Sequence, residues 1–187
     1  MLVFQIDGTV GFYFYNGSGW DTLGGASTVV NISNVVNIEN SGIAVIRDEK
    51  ASGVDGGTFT TGAWRQRDLD SLTGDTSFIS LGTNDFSLDS GVYVITAAAP
   101  AFSVAEHQIR LWNSTSSIEE AVGSMEFNKT NATASSSSTI TTVVSVGSAG
   151  ATFEIQHRCA STRSTNGFGL GASWGVNVYT QVKVQKL

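Results

Sequence analysis

The chain has 187 residues, of which 41% are hydrophobic and 14% charged, and it contains 21 glycines but a single proline. Because Ser, Thr and Asn side chains compete with helical hydrogen bonds, a chain rich in them argues against a helical fold. The net charge of −6 leaves no basic face for nucleic-acid phosphates. No apolar run approaches the roughly 18 residues that would predict insertion in a membrane.

Residues 1–42 are predicted to form a small β-structured appendage. Within the apolar strand patterns of residues 1–25, the segment GFYFYNGSGWDTLGG is typical of a hairpin, because Asn16-Gly17 tolerates the positive φ of a tight turn. A unit this small cannot bury a core of its own, so we expect it to pack against other copies. Residues 1–14 have neither the basic leader nor the cleavage site of a signal peptide, which predicts synthesis in the cytoplasm without ordinary secretion.

A six-residue repeat follows, in which VVNISN (Val29 to Asn34) is succeeded directly by VVNIEN (Val35 to Asn40). An even period keeps alternating side chains in phase along a strand. One interpretation is a threefold stalk in which each chain supplies one side, and the other is a chance match between two neighbouring strand segments. The stalk would bury the apolar positions Val30, Ile32, Val36 and Ile38.

From Ile43 to the last residue, short strand patterns alternate with turns. Ile109 and Leu111 share one strand face, and the final strand is expected to place its valines on one side. Pro100 is expected to end the strand VYVITAAA, because proline cannot donate to a sheet. Eight to ten such strands predict an antiparallel sandwich or jelly roll over residues 43–187. The predicted faces of the last strand are Val176, Val178, Val182 and Val184 against Asn177, Tyr179, Gln181 and Lys183.

The segments GGTFTTGAWRQRDLDSL and NDFSLDSGVYVITAAAPAFSVAEHQIRLWNSTS, with the terminal VYTQVKVQKL, resemble a jelly-roll domain of bacteriophage tail fibres and related virion proteins. Phe86, Leu88 and Gly91-Val92-Tyr93 are similar to the start of a strand in the globular head of complement component one q. That head has the tumour-necrosis-factor-like fold. The resemblance implies an all-β, two-sheet jelly-roll sandwich that assembles as a homotrimer around a threefold axis.

The residues that could carry catalysis do not form a recognisable set. Gly171-Ala172-Ser173-Trp174-Gly175 matches the esterase pattern G-x-S-x-G, but that mechanism needs a helix after the serine and a histidine later in the chain. A strand pattern follows instead, and both histidines precede the motif. The sequence therefore predicts no catalytic residue and a protein that is not an enzyme.

Metal ligands and other cofactor ligands are not predicted either. His107 and His157 lie far apart in the sequence, each within a strand pattern, which argues against zinc. Asp48, Glu49 and Asp55 flank the turn SGVDGG, where a solvated turn is favoured over a calcium site.

Three further groups of residues have structural interpretations. Arg65, Arg67, Asp68 and Asp70 are interpreted as the charged outer face of a strand. Cys159, the only cysteine, follows Phe153 and Ile155 in phase and is predicted to be a buried, inert thiol. Core or subunit-interface packing is favoured over ligand stacking for the tryptophans, Trp20, Trp64, Trp112 and Trp174.

The hypothesis that follows is a phage virion protein, a trimeric fibre or spike tip that contacts a glycan or protein on the host surface. A head fibre or capsid-decoration trimer, held to other virion proteins by its N-terminal region, is the alternative, and a secreted lectin-like binding module is a further one. Binding surfaces concentrate in loops that a rigid sandwich positions. The candidate loops are Ser114–Ser117, Thr130–Ser138 and Ser161–Gly171.

Overall fold

The computed structural model describes residues 1–7, 11–22 and 42–187. The chain separates into two compact units, Met1–Asn40 and Ser41–Leu187. The hexapeptide repeat, and with it the predicted stalk, lies outside the described residues. Within the described residues there is no helix, so none is long and apolar enough to cross a membrane.

The first unit contains a three-stranded antiparallel sheet in the order β1 (Leu2–Gln5), β2 (Gly11–Tyr15) and β3 (Trp20–Thr22). The predicted hairpin is confirmed, since Gly17 turns the chain with a φ of 103°. The Asn16 Oδ1 atom stabilises this turn by accepting hydrogen bonds from the backbone N–H groups of Ser18 and Gly19. An asparagine side chain that satisfies its own turn in this way is a common reason for Asn at hairpins.

One face of this small sheet is apolar and exposed. Directly paired residues share a face, and the register places Leu2 opposite Phe14 and Phe4 opposite Phe12. Each of these four side chains keeps at least 36% of its surface exposed. A contiguous apolar face of this kind usually marks a surface that another molecule covers.

The second unit is a two-sheet antiparallel sandwich, which confirms the predicted all-β jelly-roll class. Its strands are β4 (Ile43–Lys50), β5 (Arg65–Gln66), β6 (Ser71–Gly74), β7 (Ile79–Leu81), β8 (Phe86–Leu88), β9 (Gly91–Phe102), β10 (Ala105–Asn113), β11 (Ile118–Val122), β12 (Glu126–Asn128), β13 (Ser135–Val146), β14 (Ala151–Cys159) and β15 (Asn177–Lys186). The five-stranded sheet has the strand order β13, β9, β15, β4 and β6. In the seven-stranded sheet the order is β11, β10, β14, β8 and β7, with β12 paired to β10 and β5 paired to β14.

The core lies between the two sheets and follows the period of two in the sequence. Ile109 and Leu111 are fully buried on β10, as predicted, and they pack with Ile95 of the opposite sheet and with Phe153 of β14 in one continuous cluster. Burying a side chain of this size contributes about 1.5–3 kcal/mol. The sandwich therefore positions the residues on its outer faces rigidly.

The expectation that Pro100 ends its strand is wrong, because β9 continues to Phe102. On one side β15 pairs with β9 only as far as Ala98, while on the other side β13 continues past Pro100, which lies opposite Ser137. Pro100 therefore occupies a position with a strand neighbour on one side only. A missing N–H costs least at such an edge.

The predicted alternation of β15 is also wrong in its first half. The register with β4 shifts between Val178 and Gln181, and both Tyr179 and Thr180 are buried whereas Val178 is 37% exposed. A β-bulge reverses which residues face the core. Val182 and Val184, beyond the bulge, are buried as predicted.

The candidate loop Thr130–Ser138 is shorter than predicted, because β13 already begins at Ser135. Ser138 is fully buried. Its hydroxyl donates to the Ser124 carbonyl at 2.6 Å and accepts from the Ile109 N–H at 3.0 Å. A buried hydroxyl that both donates and accepts a hydrogen bond is compatible with a core. The loop between β12 and β13 comprises residues 129–134.

Candidate functional site

A groove of about 430 Å³ lies on the outer face of the seven-stranded sheet. Strands β10 and β14 supply its floor, and the segments that precede β5 and β12 supply its two walls. Its principal side chains are Thr61, Trp64, Glu106, Gln108, Met125 and Arg158.

The floor is polar because strand alternation turns the even-numbered residues of both strands outward. Gln108 lies directly opposite Arg158 in the register of β10 with β14. The Gln108 Nε2 atom donates to the Gly123 carbonyl at 2.8 Å, which fixes the amide. Within the described residues, neither the Glu106 carboxylate nor the Arg158 guanidinium has an ion-pair or hydrogen-bond partner. The floor thus presents one acceptor group and one donor group, of opposite charge, to solvent.

Trp64 forms one wall, and an arginine holds its ring. The Arg110 guanidinium lies 4.4 Å from the centre of the Trp64 ring and 4.3 Å from that of Trp112. Arg110 is itself fixed, because its Nε and Nη2 atoms both donate to the Gln156 Oε1 atom at 2.9 and 2.6 Å, and it pairs with Glu119 at 3.2 Å. Cation–π contacts of this kind stabilise an exposed ring by about 0.5–1 kcal/mol.

The segments around the groove are also held in place. On the Trp64 side, the Thr61 hydroxyl donates to the Cys159 carbonyl at 2.8 Å, which joins this segment to the end of β14. On the Met125 side, Gly123 packs so closely that a Cβ atom there would lie 2.7 Å from Ile109 and 2.8 Å from the Ser138 hydroxyl. The groove is therefore a preformed feature of the sandwich.

The tryptophans were predicted to pack in the core or at a subunit interface. Core packing is wrong for them, and packing at a subunit interface stays a prediction. Trp174 is 97% exposed and Trp20 is 50% exposed, while Trp64 and Trp112 are half-buried on either side of Arg110. Trp174 lies in the motif around Ser173, on a turn that leads into strand β15 rather than into a helix.

Beneath the groove floor, the structure brings together the two histidines, which lie 50 residues apart in the sequence. His107 and His157 lie on neighbouring strands and face the core, with the His107 Nδ1 atom 2.9 Å from the His157 Nε2 atom. The His107 Nε2 atom lies 2.8 Å from the Ser136 hydroxyl. The spacing in the sequence could have predicted this burial, because residues two apart in a strand point to the same face. His107 precedes the buried Ile109 by two residues, and His157 follows the buried Ile155 by two.

The histidine pair is electrically neutral near physiological pH. Burial, together with the charge of Arg67, lowers the pKa of His107 to about 4 even though Glu126 acts in the opposite direction. Burial, followed by the charges of Arg67 and His107, lowers the pKa of His157 well below its ordinary value. Cys159 is buried, as predicted, and burial raises its pKa to about 11.

Arg67 does not lie on a charged outer face, as the sequence suggested, but is fully buried. Its guanidinium donates to the Thr180 hydroxyl at 2.8 Å, the Phe168 carbonyl at 3.0 Å and the Pro100 carbonyl at 3.4 Å. It also lies 4.2 Å from the centre of the Phe168 ring. Burial lowers its pKa to about 10 against the opposing influence of Asp48 and Asp68.

The acidic residues considered for calcium are engaged separately. Asp48 is buried rather than solvated, and its Oδ1 atom lies 2.9 Å from the Lys50 Nζ atom. Asp55 instead accepts a hydrogen bond from the Gly171 N–H at 2.7 Å. Burial raises the pKa of Asp48. For Lys50 burial acts downward, but hydrogen bonds to Asp68 and Asp48 raise its pKa. Across the described ranges, no three His, Cys, Asp or Glu residues are arranged to hold a metal.

The candidate loops divide between the two ends of the sandwich. Ser114–Ser117 follows the end of β10, whereas the other two loops meet near its beginning. Residues of those two loops line a polar pocket of about 300 Å³ that includes Asn131, Thr162 and Arg163.

No family model matches the sequence, and no curated protein matches it. The solved structure of murine APRIL at pH 5.0 is similar, with a TM-score of 0.52 and 7% identity over 78% of this chain and 98% of that chain. The globular domain of zebrafish complement 1qA (TM-score 0.47, 14% identity, 77% of this chain and 94% of that chain) and Eiger TNF from S. frugiperda (0.49, 10%, 79% and 93%) also match. The likeness to APRIL shows the fold alone, a tumour-necrosis-factor-like jelly roll.

Proposed function

We propose that this chain is a structural protein of a bacteriophage particle, a trimeric fibre or spike tip whose jelly-roll unit contacts the host surface. The observation that carries the proposal is the preformed groove, in which Glu106 and Arg158 have no partner in the part of the chain that the structure describes and lie beside a tryptophan held in place. Concave sites with a few convergent polar groups are typical of binding surfaces. The proposal includes no catalytic step, since Ser173 precedes a strand.

The trimer is proposed to form through the outer face of the five-stranded sheet. On β9 this face carries Val92, Val94, Thr96 and Ala98, and directly opposite on β13 it carries Val143 and other small residues without charge. Val143 is 60% exposed in the single chain. A threefold assembly closes by pairing such a face with a different patch on the neighbouring copy.

Substituting Val143→Asp is expected to convert the trimer to a folded monomer. Burying an unpaired carboxylate at each of three equivalent contacts costs several kcal/mol per group. Light scattering should give three times the 19.6 kDa of one chain for the unmodified protein and one chain mass for the variant. Val122→Asp is the matched control, since Val122 is 52% exposed on the other sheet. A monomer for the unmodified protein at all concentrations would exclude the trimer.

Contact with the host is tested by competition. Purified full-length protein, added to host cells before phage that carry the same protein, should slow phage adsorption. A trimer presents each binding surface three times, so weak single contacts combine by avidity. Unchanged adsorption at saturating protein would contradict the fibre-tip role.

A second candidate, the head fibre or capsid-decoration protein, is favoured by the exposed apolar face of the first unit, formed by Leu2, Phe4, Phe12 and Phe14. This face suits attachment to another virion protein. Two measurements separate the roles. For a decoration protein, purified protein added to host cells should leave phage adsorption unchanged. Phage that carry Phe4→Asp and Phe12→Asp should also lose the substituted protein from their particles, unlike unmodified phage.

A further inference from the structure

The groove on the seven-stranded sheet combines an aromatic ring with hydrogen-bonding groups of both kinds. Trp64 is partly exposed at the wall, and the Arg110 guanidinium at 4.4 Å holds its ring in place. Glu106 and Arg158 project from the floor without partners among the described residues, and Gln108 lies directly opposite Arg158.

These groups match one class of ligand better than others. A sugar ring offers an apolar C–H face to an aromatic side chain and, at its edge, adjacent hydroxyls that both donate and accept. A carboxylate accepts two such hydrogen bonds, and a guanidinium donates two. An apolar surface with a few well-placed polar groups is the usual composition of a small-ligand site.

The charges of the floor select among saccharides. Glu106 and Arg158 contribute opposite charges, so the groove offers no net charge to a ligand. An anionic sugar would gain from Arg158 but lose to Glu106, and a cationic sugar would experience the reverse. A neutral saccharide can use both groups without a repulsive contact.

We infer that the groove binds a neutral hexopyranose unit of a host-surface glycan, with Trp64 against the ring face and Glu106 and Arg158 on the hydroxyls. The inference rests on the proposed role in host contact and names its ligand class. The Gln108 Oε1 atom supplies a further acceptor, and the amide is held in this orientation because its Nε2 atom donates one hydrogen bond to the Gly123 carbonyl.

The test uses the full-length protein and four neutral probes, the methyl glycosides of glucose, galactose, mannose and N-acetylglucosamine. Titration followed by NMR should detect at least one probe with a dissociation constant on the order of 1 mM, as for other small ligands. Trp64→Ala and Glu106→Gln should each weaken that binding at least tenfold. Glu106→Gln preserves the shape of an exposed side chain, so it remains informative if Trp64→Ala perturbs folding.

Trp174→Ala is the matched control, because Trp174 is a far more exposed tryptophan outside the groove, and it should leave binding unchanged. Absence of binding by all four probes would overturn the inference, as would binding that Trp174→Ala abolishes and Glu106→Gln leaves intact. If the protein slows phage adsorption but Glu106→Gln does not alter that effect, the inference fails while the host-contact role stands. If the probes bind as expected and adsorption is unaffected, only the host-contact role fails.

Discussion

Arg67→Met is expected to lower the free energy of unfolding by about 3–5 kcal/mol, because each buried hydrogen-bonding group left without its partner costs about 1–3 kcal/mol. Methionine fills a similar volume but donates no hydrogen bond. Thr180 and the carbonyls of Phe168 and Pro100 would then lose their donor, and the buried Asp48 would lose a favourable positive charge. Urea denaturation measures the loss, which is a large share of the roughly 5–15 kcal/mol that stabilises a domain.

Arg65→Met is the control for that experiment. Arg65 is exposed and, among the described residues, donates only to the neighbouring carbonyls of Thr60 and Thr61, so we expect a change within about 0.5 kcal/mol. A loss below about 1 kcal/mol for Arg67→Met would show that apolar contacts replace the network at little cost. The larger loss would identify Arg67 as the residue that fastens the segment containing Phe168 to the end of β9.

The class of the fold was predictable because alternation is a local property of the sequence. Ile109 and Leu111 could be assigned to the core from their spacing alone, and the turn at Asn16-Gly17 from the chemistry of two residues. Where the alternation predicted the wrong buried face or the wrong strand end, the cause lay in other strands of the sheet. The bulge after Val178 and the continuation of β9 through Pro100 depend on how far the neighbouring strands extend.

The second group of wrong predictions concerned polar residues whose side chains face the core. Arg67 and His157 were interpreted by residue type, although both are fully buried. A charged or polar side chain is buried when partners satisfy it, and those partners come from other strands. For His157 the parity with Ile155 was visible in the sequence, whereas nothing near Arg67 indicates the acceptors Thr180 and Phe168.

The groove could not be predicted, because its residues are brought together by strand register. Trp64, Glu106, Met125 and Arg158 come from four separate segments. The pairing of Gln108 with Arg158 defines the floor, and a shift of one residue would turn both side chains to the other face. Binding was predicted for the loops between strands, whereas the groove lies on a sheet face.

A fall in pH from 7.5 to 5 is expected to destabilise the sandwich through the buried histidine pair. A histidine whose pKa is lowered by folding stabilises the protein fully above its unfolded pKa, and that stability is lost as the pH falls towards the folded value. For His107, with a folded pKa of about 4, the loss at pH 5 is about 2 kcal/mol relative to neutral pH. This corresponds to a decrease in melting temperature of about 4–8 °C, measurable by calorimetry.

The hydrogen bonds explain why neither ring accepts a proton readily. With both imidazoles neutral, the tautomers that leave no buried N–H unpaired have the His157 Nε2 atom donating to the His107 Nδ1 atom and the His107 Nε2 atom donating to the Ser136 hydroxyl. A proton added to either ring places an N–H on the His157 Nδ1 atom, which has no hydrogen-bond partner among the described residues. The new charge would also lie near Arg67, whose charge disfavours it.

A variant carrying His107→Gln and His157→Gln isolates this effect. It should be less stable than the unmodified protein at pH 7.5, because the hydrogen-bonded pair is lost, but its melting temperature should change less between pH 7.5 and 5. Asp48 acts in the opposite direction, since its pKa is raised by folding and its protonation favours the folded state as the pH falls. Because both proteins retain Asp48, the difference between their two pH profiles reports the histidines, and parallel profiles would show that the pair does not control acid stability.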